Sequence, residues 1–164
     1  MPKARLAHAG LSCENPQAQA CFYQEMFGME LIGGTRSGSN TFVCSHPDEE
    51  NHDIAFFRRN PGLQHLALRV ASPEDLLEVY HEVKARQIKI RFLFNHGFSL
   101  ALYFPDPEGN LLEVYWATGR DDYSPPYVES LTLEGRTADD LRTLVREMPS
   151  QQVKHADLNP AETE

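Results

Sequence analysis

Hydrophobic and polar positions along the chain fall into two successive blocks with the same rhythm. Residues 4 to 12 read as a strand, and Asn15-Pro16 then offers an N-cap followed by proline at the first helical position. Phe22, Tyr23 and Met26 form a one-sided stripe, and Gly28 supplies a stop, which predicts a helix over 16–27. Strands follow at 29–34, 40–45 and 52–58, separated by the Gly/Ser-rich turn 33–39 and the polar loop 46–51. The order then recurs: a strand at 64–70, Ser72-Pro73 opening a helix to about Arg86, and strands at 88–94, 98–104 and 111–117. Each block is β-α-β-β-β, and the fold class is α+β. Each half has an apolar sheet face that its twin is expected to cover.

The recurrence is visible residue by residue. An offset of 57 lays Leu6, His8, Pro16, Tyr23 and Glu25 onto Leu63, His65, Pro73, Tyr80 and Glu82. Two copies of this length predict a pseudo-symmetric domain over 1–117, with modules at about 4–58 and 63–117, and a site shared between them. Beyond it, residues 118–164 divide into an arm, T-G-R-D-D-Y-S-P-P-Y, whose prolines favour an extended path that could close over a cleft, and a helix. That helix runs from Thr137 to about Met148, with acids in its first turn and Leu141, Leu144 and Val145 on one side, and is expected to dock on the domain or on a sister subunit. Residues 150–164 are polar and expected to fray.

Composition narrows the function. The 164 residues suffice for one compact domain, and a net charge of −9 with scattered Lys and Arg argues against a nucleic-acid partner. No stretch approaches the roughly 20 apolar residues of a membrane span, and the start lacks an apolar signal core, so a cytoplasmic location without membrane association is expected. Cys13, Cys21 and Cys44 form no C-x-x-C pair and read as reduced thiols.

The chemistry concentrates in three places. The turn D-P-E-G-N, residues 106–110, centres on Glu108, so Tyr103 and Glu113 should be cross-strand neighbours on one sheet face. By strand alternation His65 shares its face with Leu63 and Ala67, and Glu113 with Leu111 and Tyr115. Two histidines at repeat-equivalent positions, His8 and His65, plus a carboxylate on an apolar strand form a set that binds a divalent ion on one side and leaves the other open. Such a set suits chemistry better than a purely structural metal.

Three segments carry a family resemblance: L-A-H-A-G-L-S near the start, G-L-Q-H-L-A-L-R-V at mid-chain and L-Y-F-P-D-P-E-G-N-L-L-E-V-Y-W near the end. Over about residues 5–117 the chain resembles the vicinal oxygen chelate superfamily, which includes glyoxalase I, fosfomycin-resistance thiol transferases, methylmalonyl-CoA epimerases, bleomycin-binding proteins and type I extradiol dioxygenases. The resemblance implies that His8, His65 and Glu113 are metal ligands in a cleft between two paired βαβββ modules. Glyoxalases and epimerases typically add a fourth ligand near the position related to Glu113 by the repeat. Here that position is Phe56, with Ala55 and Phe57 beside it, which disfavours a four-ligand lyase or isomerase.

The dioxygenase branch is the better match. N-H-D-I-A-F-F is similar to the H-x-x-A-F segment of extradiol dioxygenases, which implies that His52 is a non-ligand acid/base residue. Alternation places His52 on the face of Ile54 and Phe56. N-H-G-F-S-L-A-L-Y resembles small catechol dioxygenases and implies supporting roles for His96 and Tyr103. Larger members often carry a histidine nine residues before the tyrosine, where this chain has Phe94, so His96 is displaced by two. Larger members also carry a further degenerate module pair, and the chain resembles a one-domain version.

The expected function is that of an Fe(II)-dependent, or alternatively Mn(II)-dependent, extradiol dioxygenase. It would take dioxygen and a small aromatic substrate, a catechol, and cleave the ring beside its two hydroxyls. Phe56, Phe94 and Tyr115 are expected near the ring, and a homodimer is the expected assembly. The alternatives are a metal-dependent thiol transferase of the fosfomycin-resistance type, which needs concentrated cations near the metal where only Arg120 follows the third ligand strand, and a metal-free binding protein. His46, His81 and His155 are assigned to the surface.

Overall fold

The computed structural model describes residues 2–123 and 127–150. Pro125 and Pro126 of the expected extended arm, His155 and residues 151–164 lie outside the described residues. The first module comprises β1 (Arg5–Cys13), α1 (Pro16–Phe27), β2 (Glu30–Gly34), β3 (Asn40–Cys44) and β4 (Ile54–Arg58). The second comprises β5 (Gly62–Val70), α2 (Pro73–Ala85), β6 (Phe92–Asn95), β7 (Ser99–Pro105) and β8 (Leu111–Ala117). A short strand, β9 (Glu129–Ser130), and α3 (Ala138–Glu147) follow.

Helix boundaries sit where local chemistry satisfies orphan amides. Asn15 Oδ1 accepts the Ala18 N–H at 3.1 Å, and α1 ends on Gly28 in the left-handed conformation at φ 67°. Ser72 Oγ accepts from Asp75 N–H at 3.1 Å to open α2, and Thr137 with Asp140 forms a reciprocal capping box on α3. The predicted strand at 88–94 is cut to Phe92–Asn95. Gln87 turns to φ 58° and the Ile88 N–H is taken by Val83 O, so Ile88 and Ile90 pack on the core as coil. The predicted strand at 52–58 starts two residues late, because Asp53 Oδ2 accepts the Ser45 N–H at 2.6 Å and closes a loop that includes His52.

One sheet of nine strands, in the order β2-β3-β4-β1-β5-β8-β7-β6-β9, holds both modules. Within each module the first and last strands are parallel neighbours, and β1 pairs with β5 antiparallel across the seam. The twins therefore meet edge to edge, and each convex face is covered by helix instead of by its twin. Helix α1 covers Val43, Ile54 and Phe56, while α2 and α3 cover Val70, Leu100, Leu102 and Val114. The sheet curls strongly. Strands β4 and β7 stand four spacings apart, about 19 Å if flat, yet the rings of His52, just before β4, and Phe98, just before β7, are 6.3 Å apart. The concave side of that curl encloses the site.

Candidate metal centre and its cavity

Four neighbouring strands present one row of side chains to the concave face. His8 on β1 pairs with Ala67 on β5, Ala67 with Glu113 on β8, and Glu113 with Tyr103 on β7. Paired residues project to the same side. Ala67 contributes only a methyl group between His8 and Glu113, and His65, two residues earlier on β5, folds over Gly10, its partner on β1. Gly10 is required there: a Cβ would fall on the His65 imidazole, 2.5 Å from its Cε1.

His8 Nε2, His65 Nε2 and Glu113 Oε2 form a nearly equilateral triangle, with His8–His65 at 3.2 Å, His8–Glu113 at 3.3 Å and His65–Glu113 at 3.2 Å. Donor atoms about 2.1 Å from a common ion, at right-angle to tetrahedral spacing, stand about 3.0–3.4 Å apart. The three groups, all buried, thus fit a divalent ion. Gln64 Oε1 accepts from His65 Nδ1, which leaves the His65 Nε2 lone pair for the centre. Burial alone would raise the Glu113 carboxyl, but contacts from His65 and His8 outweigh it and hold the group well below the usual carboxylate range.

A cavity of about 110 Å³ opens over this triangle. Its walls include His52, His96 and Tyr103 together with Phe42, Phe57 and Phe98. The His52 ring lies 4.2 Å from that of His8, and its Nδ1 is 3.0 Å from Asn51 Oδ1, which assigns the proton to Nδ1 and the lone pair to Nε2. Burial, then the neighbouring His8, push the His52 imidazole well below its ordinary value, so the neutral ring is the resident form. His96 bridges two elements: Nδ1 donates to Tyr127 O at 3.0 Å and Nε2 accepts from the Tyr103 hydroxyl at 3.1 Å. Burial and then the Glu113 charge push the Tyr103 phenol well above its ordinary value and keep it protonated.

Several expected placements change. Phe56 points to the convex face, 5.3 Å from the Tyr23 ring, because alternation does not carry across the loop residue Asp53; His52 reaches the site without sharing that face. Phe94 packs on Tyr103 at 5.6 Å behind the cavity wall, and Tyr115 faces a neighbouring cavity, its hydroxyl 3.1 Å from Glu50 Oε2. The ladder aligns Gly10 with Ala55 as it aligns Ala67 with Glu113, so the structural counterpart of Glu113 is Ala55, one residue from the repeat offset and equally unable to bind metal. His46 and His81 are exposed, as expected. Sequence reasoning missed Gln64, Asn51, Phe42, Phe57 and Phe98. Gln64 and Asn51, each adjacent in sequence to a singled-out histidine, were the findable ones.

Arg120 lies away from the cavity, paired with Asp122 and donating to the carbonyls of Val145 and Met148. No Lys or Arg lines the cavity among the described residues. The concentrated cations that a phosphonate-directed transferase would need are therefore not provided there.

A curled pair of βαβββ modules with a buried His-His-Glu triangle able to hold a metal ion defines the class of fold. The sequence signature of the Glyoxalase/Bleomycin resistance protein/Dioxygenase superfamily matches residues 5–114, and the chain belongs to that superfamily. It is 30% identical over 122 residues to biphenyl-2,3-diol 1,2-dioxygenase 3 of Rhodococcus globerulus, covering 67% of this chain and 62% of that protein. It is 25% identical over 117 residues to the manganese-dependent 2,3-dihydroxybiphenyl 1,2-dioxygenase of Geobacillus genomosp. 3, covering 69% of this chain and 36% of that one. The fold is shared with homoprotocatechuate 2,3-dioxygenase of Brevibacterium fuscum, solved with 3,4-dihydroxyphenylacetate, at TM-score 0.61, 22% identity, and 71% and 37% coverage of the two chains. The chain thus spans less than two thirds of each of these relatives. Among the described residues, no helix is long and apolar enough to cross a membrane.

Proposed function

We propose that this chain is an extradiol ring-cleaving dioxygenase of catechol-type substrates, with Fe(II), or Mn(II) in its place, held by His8, His65 and Glu113. The observation that carries the reading is the open three-atom triangle with 3.2–3.3 Å sides at the floor of an aromatic-lined cavity, with two further imidazoles and a phenol on the same walls. A divalent ion there would supply Lewis acidity, its charge favouring the ionised diol as it favours ionised water.

The chain's own groups divide the remaining work. His52, with its Nε2 lone pair free of the Asn51 contact and turned to the cavity, is the group placed to take a hydroxyl proton from the incoming diol. Tyr103 keeps its proton and shares it with His96 Nε2, so the pair holds a proton at the cavity wall for return to the product. Phe42, Phe57 and Phe98 pack on the ring and exclude water. The net reaction consumes one diol and one dioxygen, breaks the carbon–carbon bond beside one hydroxyl-bearing carbon, and places both oxygen atoms in the product without an external electron donor.

The test is anaerobic loading with Fe(II), then addition of oxygen and catechol. The expected result is a yellow ring-opened product with one oxygen consumed per diol, abolished in His65→Ala. Stoichiometric metal at the site with no oxygen uptake would overturn the reading.

A further inference from the structure

The cavity over the candidate metal centre is one of two that meet at the same wall. The first, about 110 Å³, touches all three candidate ligands; the second, about 260 Å³, lies beyond His8, His52 and Phe98, which line both, and its far side carries Glu50, Arg69 and Asp121. Of the three shared residues, one is a candidate ligand and one the proposed proton acceptor. Phe98 is the remaining partition.

Phe98 is fixed in place. Its ring stacks on His96 at 5.8 Å and 19°, and meets His52 edge-on at 6.3 Å. The turn that carries it is pinned on both sides. Gly97 N–H donates to Asn95 Oδ1 at 2.8 Å, Phe98 N–H to His96 O at 2.9 Å, and Thr118 N–H to Phe98 O at 2.9 Å. Thr118 Oγ1 also donates to Gly97 O at 2.6 Å. Gly97 holds φ 76° with the Tyr123 ring where a Cβ would go, so the turn cannot back away.

An apolar cavity on the order of 150 Å³ accommodates one benzene ring. The inner cavity, about 110 Å³, is therefore of one-ring size, and Phe98 is the wall residue, besides His8 and His52, that separates it from the second space. We propose that Phe98 is the size-limiting residue of the diol site: it confines the substrate to a single ring and bars an aryl substituent from the second cavity. The inference rests on the diol-binding reading above and deepens it to a substrate class.

The test compares catechol with biphenyl-2,3-diol on the whole 164-residue chain loaded with Fe(II). Dissociation constants are taken by calorimetry without oxygen, and kcat/KM by oxygen uptake. Wild type is expected to favour catechol by at least about tenfold in both measures. Phe98→Ala should shift the ratio toward the two-ring diol by about tenfold or more, with Phe98→Leu intermediate and available should the alanine variant fail to fold. Equal binding of both diols by wild type, or an unchanged ratio in a folded Phe98 variant, would overturn the inference. Binding with the expected size preference but no oxygen uptake would sink the dioxygenase reading and leave the size limit standing. Wild type that binds neither diol would overturn both.

Discussion

At the scale of single residues, the His-His-Glu triangle depends on Gly10 as much as on the groups that form it. The His65 ring occupies the volume a Cβ at Gly10 would take, and Gln64 then fixes that ring by accepting from Nδ1. Gly10→Ala should displace the imidazole and weaken metal binding by about 10- to 100-fold, as losses of supporting groups around metal sites do, while the protein stays folded; a metal titration beside circular dichroism checks it. His52 makes a different prediction. The fold holds its neutral form by lowering its proton affinity below the ordinary value near 6.5, whereas the unfolded chain binds the proton normally. Its stabilising contribution is thus complete above about pH 6.5 and is lost as pH falls from there toward the folded value. The melting temperature of metal-free wild type should therefore drop more steeply on acidification from about pH 7 than that of His52→Gln, and parallel curves would contradict a buried neutral ring. His8, His65 and Glu113 were legible in the sequence because a repeat and a hairpin each constrain their placement. Gly10 was not, because its contact with His65 exists only once β1 and β5 pair across the seam.

At the scale of elements, the two halves bury their convex faces differently. Helix α2 is covered in turn by α3, through Leu141, Val145 and Met148, whereas α1 leaves Phe22, Met26 and Phe27 exposed. Leu141 is 1% exposed, so Leu141→Ala should cost about 2–5 kcal/mol in chemical denaturation, and Thr137→Ala, which removes a capping-box hydroxyl, about 1 kcal/mol. A loss at Leu141 no larger than that at Thr137 would mean that α3 is not integral to the core. The apolar stripe of α3 and both proline-opened helices could be read from periodicity and caps, and the Tyr103–Glu113 pairing from the symmetry of one turn. Strand β9 escaped because two residues, Glu129 and Ser130, carry no period; what defines them is pairing with Phe94 and Asn95. The inward side of β4 escaped for another reason. Ala55 and Phe57 face the cavity, and Phe56 faces α1, because the loop at Asp53 breaks the alternation that would have linked them to His52.

At the scale of the whole molecule, the sheet is one curled layer whose two modules touch along β1 and β5, and the proposed ion would sit astride that seam. His8 comes from the first module, and His65 and Glu113 from the second, so an ion bound there would tie together strands that are otherwise joined by ladder hydrogen bonds and side-chain packing. An ion that binds the folded chain and not the unfolded one stabilises it by mass action, about 2.7 kcal/mol at a free concentration 100 times the dissociation constant. Wild type should therefore melt several degrees higher with Fe(II) under anaerobic conditions than with chelator. His8→Ala, which leaves the second module's two groups intact, should lose most of that increment. Retention of the full increment in His8→Ala would mean that His65 and Glu113 hold the ion without the first module, and the seam would then be a feature of packing alone. Loss of the increment in His8→Ala and in Glu113→Gln alike would make the paired modules a single thermodynamic unit around the ion. That outcome would also explain why the repeat keeps its histidine in both copies but its acid in only one: three side chains complete the triangle at 3.2–3.3 Å, and Ala55, in the fourth place, adds no further donor on the cavity side.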